Sequence, residues 1–402
     1  MKVLFVASDT FPHIGGKSSH IRDLMKGLRA INVDCQVISL SSLGRTLEIM
    51  IKAPIFAVKL INIDLFYYLF ARIWSKILNR LVYTYCLRNS PDFISVQDAF
   101  AAQSISDTIK QLRIHTSLTM HTYFGIEHSL DKRMGVLSRV IYRMHLADEL
   151  QALNVVDGVV AVDQRIHEHV KANIDERVSQ RIQTTSIMNF TDTDLYMGTN
   201  AVARVDLRKR YNVANDVFIV VCTRRLVEKN GVIYAVRAMQ LIDDDKIRLF
   251  IAGDGPQRKS IEDYILQHGL ENRIVLFGSV DEKIALELYH ISDVSIVPSV
   301  TVNSLQEATS ISAIEAMSCG VPIIASNIGG LAQLIKHNHT GVLVDEADEE
   351  AIAREIVRLK NNNDLYQRIS MDGMAWARMN HSHLSAARQY LGFFESLNNG
   401  KR

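Results

Sequence analysis

The sequence predicts an α/β protein with two parallel sheets, each flanked by helices. Short apolar runs alternate with helical patterns, in one series before residue 190 and in a second series after residue 217. Strands that alternate with helices in this way form parallel sheets. A length of 402 residues suits two domains. The expected architecture is therefore two Rossmann-like parallel-sheet domains that face each other across a cleft.

The first series opens with the apolar run KVLFVA, a glycine-bearing turn, and apolar residues at helical spacing from Ile21 to Leu28. That order is strand, loop and helix. The same pattern then recurs through both series. The predicted strands are 2–7, 34–40, 92–96, 116–120 and 158–162 in the first series, and 218–222, 248–252, 274–277, 294–297 and 322–325 in the second.

A polar stretch separates the two series. The sequence NFTDTDLYMGTN, rich in Asn and Asp, interrupts the periodicity at 189–200. Such stretches commonly mark domain boundaries. We therefore expect an N-terminal domain over 1–195 and a C-terminal domain over 196–375.

Composition excludes several classes of protein. The 45 Lys and Arg residues nearly balance the 44 Asp and Glu residues, so no basic excess exists for a nucleic-acid backbone. Cys35, Cys86, Cys222 and Cys319 are far apart in the sequence, which argues against a disulfide framework or a cysteine zinc site. The N-terminal apolar run is too short for a secretory signal, and no uncharged run is long enough to span a membrane. We expect a cytoplasmic protein.

The segment 45–88 differs from the rest of the chain. It carries seven basic residues against two acidic ones, a net charge of +5, together with eight aromatic residues. Basic and aromatic residues on helices suit a surface that lies on an anionic membrane. The alternative is that the aromatic residues are core and the cations form a solvated face. Membrane contact would place the protein peripherally on the inner face of the plasma membrane.

The most informative local pattern is EATSISAIEAMSCG at 307–320, with two glutamates, Glu307 and Glu315, eight residues apart. A loop through Ser310 should lead into a helix that begins at Ile311, with Ser310 as its cap. The N–H groups at a helix start favour a phosphate, and the two carboxylates can bind sugar hydroxyls. Taken alone, a cap and an exposed helix glutamate explain the same residues.

Residues after predicted strands add further candidates, because ligands bind at the carboxyl ends of strands in such sheets. Arg224 and Lys229 follow the first strand of the second domain and could neutralise a diphosphate. A glycine pair, Gly15 and Gly16, follows the first strand of the chain and would let a ligand approach the backbone.

Two more residues follow strands. Gly253 lies in the turn GDGP, which structural need alone can explain. His121 follows the strand 116–120 and could hydrogen-bond a bound sugar, although a lone histidine is more often structural.

The order and spacing of these motifs resemble the family-4 retaining glycosyltransferases, which have the two-domain GT-B fold. The resemblance is strongest from CTRRLVEKNG through IAGDGPQRKSIE and VLFGSV to EATSISAIEAMSCGVPIIASNIGG and HTGVLVD. The N-terminal FPHIGGKSSHI and the central MNFTDTDLY also resemble family segments. The fold further implies that a C-terminal helix over about 376–402 crosses back to the first domain.

The resemblance implies transfer of a sugar from a nucleotide-diphosphate donor, a UDP- or GDP-sugar, to an acceptor hydroxyl with retention. Glu307 would hold the donor sugar and Glu315 the ribose, while Arg224 and Lys229 would neutralise the leaving diphosphate. His121 would contact the transferring sugar. The remaining donor-binding positions that it implies are Gly15, Gly16, Gly253, Val280, Thr309, Ser310, Ile311 and Ser312.

The sequence departs from the family pattern at two places. The Gly-Phe-Gly that often follows the first glutamate is Ala308-Thr309-Ser310 here. The usual Gly-Arg of the basic loop is Arg224-Arg225, so either arginine could contact the diphosphate. The chain shows no clear carboxylate cluster for a divalent cation, and the resemblance implies catalysis without metal or other cofactor.

The acceptor is open among a glycan, a lipid-linked molecule and a small molecule, and a bacterial surface glycan or glycolipid pathway is the expectation. Two alternatives stay open for the function. One is a nucleotide-sugar epimerase, or a phosphorylase-like enzyme, on the same fold. The other is a non-catalytic subunit that binds the donor without turning it over.

Overall fold

The computed structural model describes residues 1–12, 15–44, 63–121, 147, 150–303 and 306–399. The chain divides into two compact units. Unit 1 comprises Met1–Met188 and His383–Arg402, and unit 2 comprises Asn189–Ser382. Each unit contains one six-stranded sheet.

The sheet of unit 1 has the order β2-β1-β3-β4-β5-β6, and every neighbouring pair is parallel. Because neighbouring strands that follow one another in the chain are parallel, their connections are crossovers. The strands are β1 (Lys2–Val6), β2 (Asp34–Ile38), β3 (Phe93–Val96), β4 (His115–Met120), β5 (Gly158–Ala161) and β6 (Gln183–Ser186).

The sheet of unit 2 has the order β12-β11-β10-β7-β8-β9 and is also parallel throughout. Its central strands are buried on both faces, which explains their continuous apolar sequences. The strands are β7 (Phe218–Thr223), β8 (Ile247–Ala252), β9 (Ile274–Gly278), β10 (Val294–Val297), β11 (Ile323–Ser326) and β12 (Val342–Val344).

The α-helices of unit 1 connect its strands, and one of them comes from the C-terminal end of the chain. They are α1 (Gly16–Ala30), α2 (Ile63–Asn89), α3 (Ala99–Ser104), α4 (Ser106–Leu112), α5 (Gln164–Asn173), α6 (Glu176–Arg181) and, after unit 2, α15 (His383–Asn399).

The α-helices of unit 2 alternate with its strands and then follow β12. They are α7 (Ala201–Arg210), α8 (Val232–Leu241), α9 (Arg258–Gln267), α10 (Glu282–Ile291), α11 (Ile311–Ser318), α12 (Gly329–Leu334), α13 (Glu349–Asn361) and α14 (Asn363–Asn380).

Many helices begin where the sequence supplies an acidic or amide cap. The side chain of the capping residue accepts a hydrogen bond from the backbone N–H three residues later, which satisfies one of the unpaired donors of the first turn. The residues that cap in this way are Asp98, Asp163, Asp175, Asn200, Asp281, Asp348 and Asn362.

Helix α15 completes the core of unit 1. It packs against α1 and β4. The ring of Phe394 stacks on Phe93 of β3 with centroids 4.3 Å apart, and Tyr390 and Phe394 are both fully buried. The expectation that a C-terminal helix belongs with the N-terminal half of the chain corresponds to this arrangement.

All ten predicted strands are present, each within two residues of its predicted ends. The sequence pattern missed β6 and β12. Strand β6 reads QTTS and lies at a sheet edge, where its side chains are only partly buried. Strand β12 has only three residues. Strand β6 therefore lacks the apolar run on which the prediction depended, and in β12 that run is only three residues long.

The basic, aromatic segment 45–88 is described only from residue 63, and its part over 45–62 lies outside the described residues. The described part is helix α2. Within the described ranges, no helix combines the length and the apolar composition that crossing a membrane requires.

Candidate functional site

The strand order of unit 2 reverses between β7 and β10. The chain builds outward from β7 to β8 and β9, then returns to the other side of β7 for β10, β11 and β12. In parallel sheets, the carboxyl ends of the strands at such a reversal form a crevice in which ligands bind. Arg224 follows β7 directly, and Ser299 lies two residues after β10. The predicted site residues of unit 2 collect around this point.

The guanidinium of Arg224 bridges the two strand ends. Its Nη2 donates to Ser299 Oγ at 3.1 Å and to Asn230 Oδ1 at 2.7 Å. The same nitrogen lies 2.8 Å from Oε2 of Glu307, and the two side chains are 9% and 13% exposed. A buried ion pair of this kind holds both charged groups in fixed positions. The structure therefore brings together Arg224 and Glu307, which the sequence separates by 83 residues.

The segment from Glu307 to Ser310 forms the loop that precedes α11, as predicted. The Glu307 carbonyl accepts from the N–H of Gly330 at 2.9 Å, and the Thr309 carbonyl accepts from Asn189 Nδ2 at 2.8 Å. Thr309 and Ser310 are both 2% exposed. These contacts fix the loop from both sides.

Ser310 is the residue before α11, and the helix begins at Ile311 as predicted. The expected capping hydrogen bond is absent, however. Ser310 Oγ instead accepts from Arg224 Nη1 at 2.9 Å and lies 3.1 Å from Ser312 Oγ. Ser310 is thus at the predicted position, but the prediction that its side chain caps the helix is wrong. Its hydroxyl accepts a hydrogen bond from Arg224 instead.

Glu315 lies in the second turn of α11 beside two tyrosines. Tyr289 donates from its hydroxyl to Glu315 Oε2 at 3.1 Å, and the ring of Tyr196 packs edge to face against Tyr289. Burial, followed by the negative charge of Glu315, raises the pKa of Tyr289 well above its ordinary value, and the same two causes raise the pKa of Tyr196. Both phenols are therefore neutral hydrogen-bond donors at neutral pH.

The two remaining basic candidates are exposed. Lys229 lies in a short 3₁₀ helix (Glu228–Asn230), and its carbonyl accepts from the N–H of Val300 at 2.9 Å. Arg225 is exposed as well. Of the two adjacent arginines, Arg224 is the one in contact with Glu307.

Gly253 and Val280 follow β8 and β9. The backbone of Gly253 has φ of 155°, and an added Cβ would lie 1.9 Å from the carbonyl oxygen of Arg224. Only glycine fits at this position, so close packing against the basic loop accounts for it. Val280 is half-buried and packs on the apolar cluster beneath β7 and β8.

Unit 1 has its own polar group at the carboxyl ends of β1 and β3. Gly15 precedes α1 with φ of 154°, and Gly16 is the first residue of that helix. Lys17 pairs with Asp98 at 3.2 Å and with Asp9. Burial alone would lower the pKa of Lys17, but the charges of Asp98 and Asp9 together raise it above its ordinary value. The lysine is therefore firmly charged.

His121 lies immediately after β4 in the same unit. Its Nε2 is 3.4 Å from Gln97 Oε1, and its ring meets His20 edge to face at 4.7 Å. Burial first, and then the nearby His20 and Lys17, lower the pKa of His121 well below its ordinary value. The imidazole is neutral at neutral pH, so one ring nitrogen can donate a hydrogen bond to a hydroxyl group and the other can accept one.

Four residues at these sites were not among the site residues predicted from the sequence. Tyr289 and Tyr196 have the character of core residues, and Asn230 and Ser299 are ordinary loop residues. Only the strand order places them around Arg224 and Glu315. Their proximity depends on the topology of the sheet, which a single sequence does not reveal residue by residue.

Comparison with known proteins relates part of the chain to a known family. Residues 204–376 match the model of the family described as glycosyl transferases group 1. The chain is 30% identical over 190 residues to an uncharacterised glycosyltransferase of Methanocaldococcus jannaschii, an alignment that covers 44% of this chain and 47% of that protein. It is 26% identical over 271 residues to the N-acetyl-alpha-D-glucosaminyl L-malate synthase of Bacillus anthracis, covering 62% and 66%. The chain thus spans about half to two thirds of these relatives.

The structural likeness extends further than the sequence match. The crystal structure of Anabaena HepE in complex with UDP-glucose has a TM-score of 0.72 at 19% identity, covering 98% of this chain and 100% of that chain. At such low identity, the likeness establishes the fold. Residues 204–376 thus match the glycosyl transferases group 1 family model, and the chain as a whole has the GT-B fold.

Proposed function

We propose that the protein is a retaining, family-4 glycosyltransferase that moves a sugar from a nucleoside diphosphate sugar to an acceptor hydroxyl. The observation that carries the proposal is the cluster of Arg224, Glu307 and Ser310 at the start of α11, with Glu315 one turn further on. This cluster lies at the strand reversal of a parallel sheet, where nucleotide ligands bind in folds of this kind.

The diphosphate would bind at the start of α11. The backbone N–H groups of Ile311 and Ser312 belong to the first turn, which has no carbonyl partners within the helix. Lys229 and Arg224 would supply positive charge to the leaving diphosphate as the glycosidic bond breaks. Fixed charges of this kind stabilise a transition state more than they stabilise the bound substrate.

Glu307 would hold the hydroxyl groups of the donor sugar and stabilise positive charge on its reacting face. Its ion pair with Arg224 positions the carboxylate before any donor arrives. His121 would contact the transferring sugar as a neutral hydrogen-bonding group. The leaving phosphate would assist deprotonation of the acceptor, so no metal ion and no dedicated base are required.

The proposed classes of donor and acceptor are based on the proteins that the chain resembles. The Anabaena structure contains UDP-glucose, and the name of the Bacillus anthracis relative describes attachment of an N-acetylglucosaminyl group to malate. We propose a UDP- or GDP-sugar as the donor and a glycan, a lipid-linked molecule or a small molecule as the acceptor. Assembly of a bacterial surface glycan or glycolipid is the proposed setting, in the cytoplasm or at the inner face of the plasma membrane.

The charge pattern of helix α2 is an argument for contact with an anionic membrane. From Leu65 to Asn89 the sequence has four basic residues and no acidic residue. The buried face carries Phe66 and Trp74, so these two aromatic residues belong to the core. Arg72, Lys76 and Arg80 are exposed and recur every fourth residue, which places them on one side of the helix.

Apolar side chains lie among these cations. Ile73 is 37% exposed and Leu87 is 59% exposed. A helix surface that combines cations with exposed apolar residues suits the headgroup region of an anionic bilayer. We therefore propose that α2 places the protein on the membrane that holds a lipid-linked acceptor.

A thermal-shift screen tests the function. UDP, GDP, ADP and their common sugar derivatives are added with and without EDTA. One nucleotide class should raise the melting temperature, because a ligand that binds only the folded state stabilises it. The shift should persist in EDTA. Failure of all three nucleotides to stabilise the protein would contradict the proposed donor site.

Turnover then separates the alternatives. Release of the nucleoside diphosphate should depend on an added acceptor. Conversion of the donor sugar without any acceptor would instead indicate an epimerase, and binding without turnover would indicate a non-catalytic donor-binding subunit.

A further inference from the structure

The carboxylate of Glu315 accepts a hydrogen bond from Tyr289, whose ring packs against that of Tyr196. Tyr289 belongs to α10, and Tyr196 precedes α7. Both rings are buried, at 0% and 2% exposure, and they meet edge to face with centroids 6.1 Å apart. Because neither ring can turn away without disturbing the core, both hydroxyl groups are held in place.

The direction of the hydrogen bonds around Tyr289 can be assigned. Its hydroxyl lies 2.5 Å from Thr223 Oγ1, 3.1 Å from Glu315 Oε2 and 3.2 Å from the carbonyl of Ser312. A phenol has one proton to donate, and neither the carboxylate nor the carbonyl can donate to it. The proton of Tyr289 therefore goes to one of those two acceptors, and the threonine hydroxyl donates to the phenol oxygen.

The carboxylate is the stronger of the two acceptors because it is charged. The hydrogen bonds therefore run from Thr223 to Tyr289 and from Tyr289 to Glu315. Thr223 is the last residue of β7, next to Arg224. The chain of hydroxyls thus ties the orientation of Glu315 to the strand that carries the basic loop. A carboxylate held through one oxygen can direct its other lone pairs at a ligand.

We propose that Tyr289 and Tyr196 are positioning residues that orient the Glu315 carboxylate so that it recognises the ribose hydroxyls of the donor nucleotide. This inference rests on the proposed function, in which Glu315 binds the ribose. The tyrosines do not touch the nucleotide. They act through Glu315 on the recognition of the ribose, and in this way they determine the preference for a ribonucleotide over a deoxyribonucleotide.

Nucleotide pairs that differ by one hydroxyl test the proposal. Calorimetry on the full chain measures Kd for UDP and 2′-deoxy-UDP, and for the corresponding GDP and ADP pairs. The wild type should bind the ribonucleotide at least about tenfold more tightly, the size of one hydrogen bond to a charged group. Tyr289→Phe and Tyr196→Phe should weaken ribonucleotide binding and leave deoxyribonucleotide binding nearly unchanged.

A matched control is Tyr264→Phe. Tyr264 donates to Gln240 at 2.6 Å elsewhere in unit 2, so its loss removes a tyrosine hydrogen bond without touching Glu315. The control should keep the full ribose preference. Thr223→Val, which removes the donor behind Tyr289, should reduce the preference partially and provides a second variant if Tyr289→Phe does not fold.

Each outcome has a separate meaning. Loss of ribose preference in both phenylalanine variants supports the proposal. Equal weakening of both nucleotides of a pair would show that the tyrosines act only through stability and would overturn it. A wild type that binds a nucleotide without ribose preference would overturn it while leaving the donor site intact. A wild type that binds no nucleotide would overturn the proposed function itself.

Discussion

At the scale of single residues, Arg224 links two loops of the candidate site. It contacts Asn230 in the segment after β7, and Ser299, Glu307 and Ser310 in the segment between β10 and α11. Its Nε is buried, and no residue in the described ranges accepts a hydrogen bond from it. The arginine therefore holds these loops together, and it would also supply positive charge to a diphosphate.

Loss of charge at the site should affect turnover more than folding. Glu307→Ala, Arg224→Ala and Lys229→Ala should each lower sugar transfer at least about a hundredfold, the usual loss for one transition-state contact. Initial-rate measurements with the donor found by thermal shift give these values. Lys246→Ala is a matched control, since Lys246 is exposed and pairs with Asp216 in a surface salt bridge. Wild-type rates in all three site variants would refute the assignment.

Gly231 shows how closely the basic loop packs on the strand beside it. It precedes α8 with φ of +61°, and an added Cβ would lie 1.8 Å from the carbonyl oxygen of Pro298. Gly269 has nearly the same φ, +63°, but has no atom within 4 Å of the added Cβ. The two glycines share their backbone conformation and differ only in their surroundings.

Gly269→Ala should therefore cost about 1 kcal/mol, the strain of a left-handed alanine. Gly231→Ala should cost considerably more, because the loop must also move away from Pro298. Urea unfolding of both variants measures the difference in the free energy of unfolding. Equal losses would show that the loop can shift without cost.

At the scale of elements, α2 carries four basic residues against one acidic residue, and Arg72, Lys76 and Arg80 are exposed. Lys76→Glu combined with Arg80→Glu should lower binding to phosphatidylserine vesicles by roughly thirtyfold or more, since each cation near an anionic surface contributes about 1 kcal/mol. Liposome flotation at low salt measures the bound fraction.

The control for α2 makes the same change of charge elsewhere. Lys246 and Lys259 are exposed cations of unit 2, and their replacement by glutamate should leave flotation near the wild-type level. If both double variants float alike, or if the wild type does not float, α2 is not a membrane-binding surface.

Predictability from sequence also differs between elements. The strands at the centre of each sheet were predicted because burial on both faces demands unbroken apolar runs. Strand β6 was missed because its sequence, QTTS, is polar and only partly buried, and β12 was missed because it has only three residues. The beginning of α11 was predicted correctly, whereas the use of Ser310 was not, because its partner Arg224 is distant in the sequence.

At the scale of the whole molecule, the sequence predicted two α/β units, a nearly neutral chain and the motif positions that the candidate site contains. It could not predict which loops meet. That outcome depends on the strand order β12-β11-β10-β7-β8-β9, in which β10 returns to the side of β7. The pairing of Arg224 with Glu307 and the tyrosines at Glu315 are consequences of that return.

The position of α15 affects the order in which the chain can fold during synthesis. Unit 1 begins first in the chain, but Tyr390 and Phe394, which are fully buried in it, are translated after Ser382, the last residue of unit 2. Domains can fold as units during synthesis. The core of unit 1 can therefore be completed only after the whole of unit 2 has been translated.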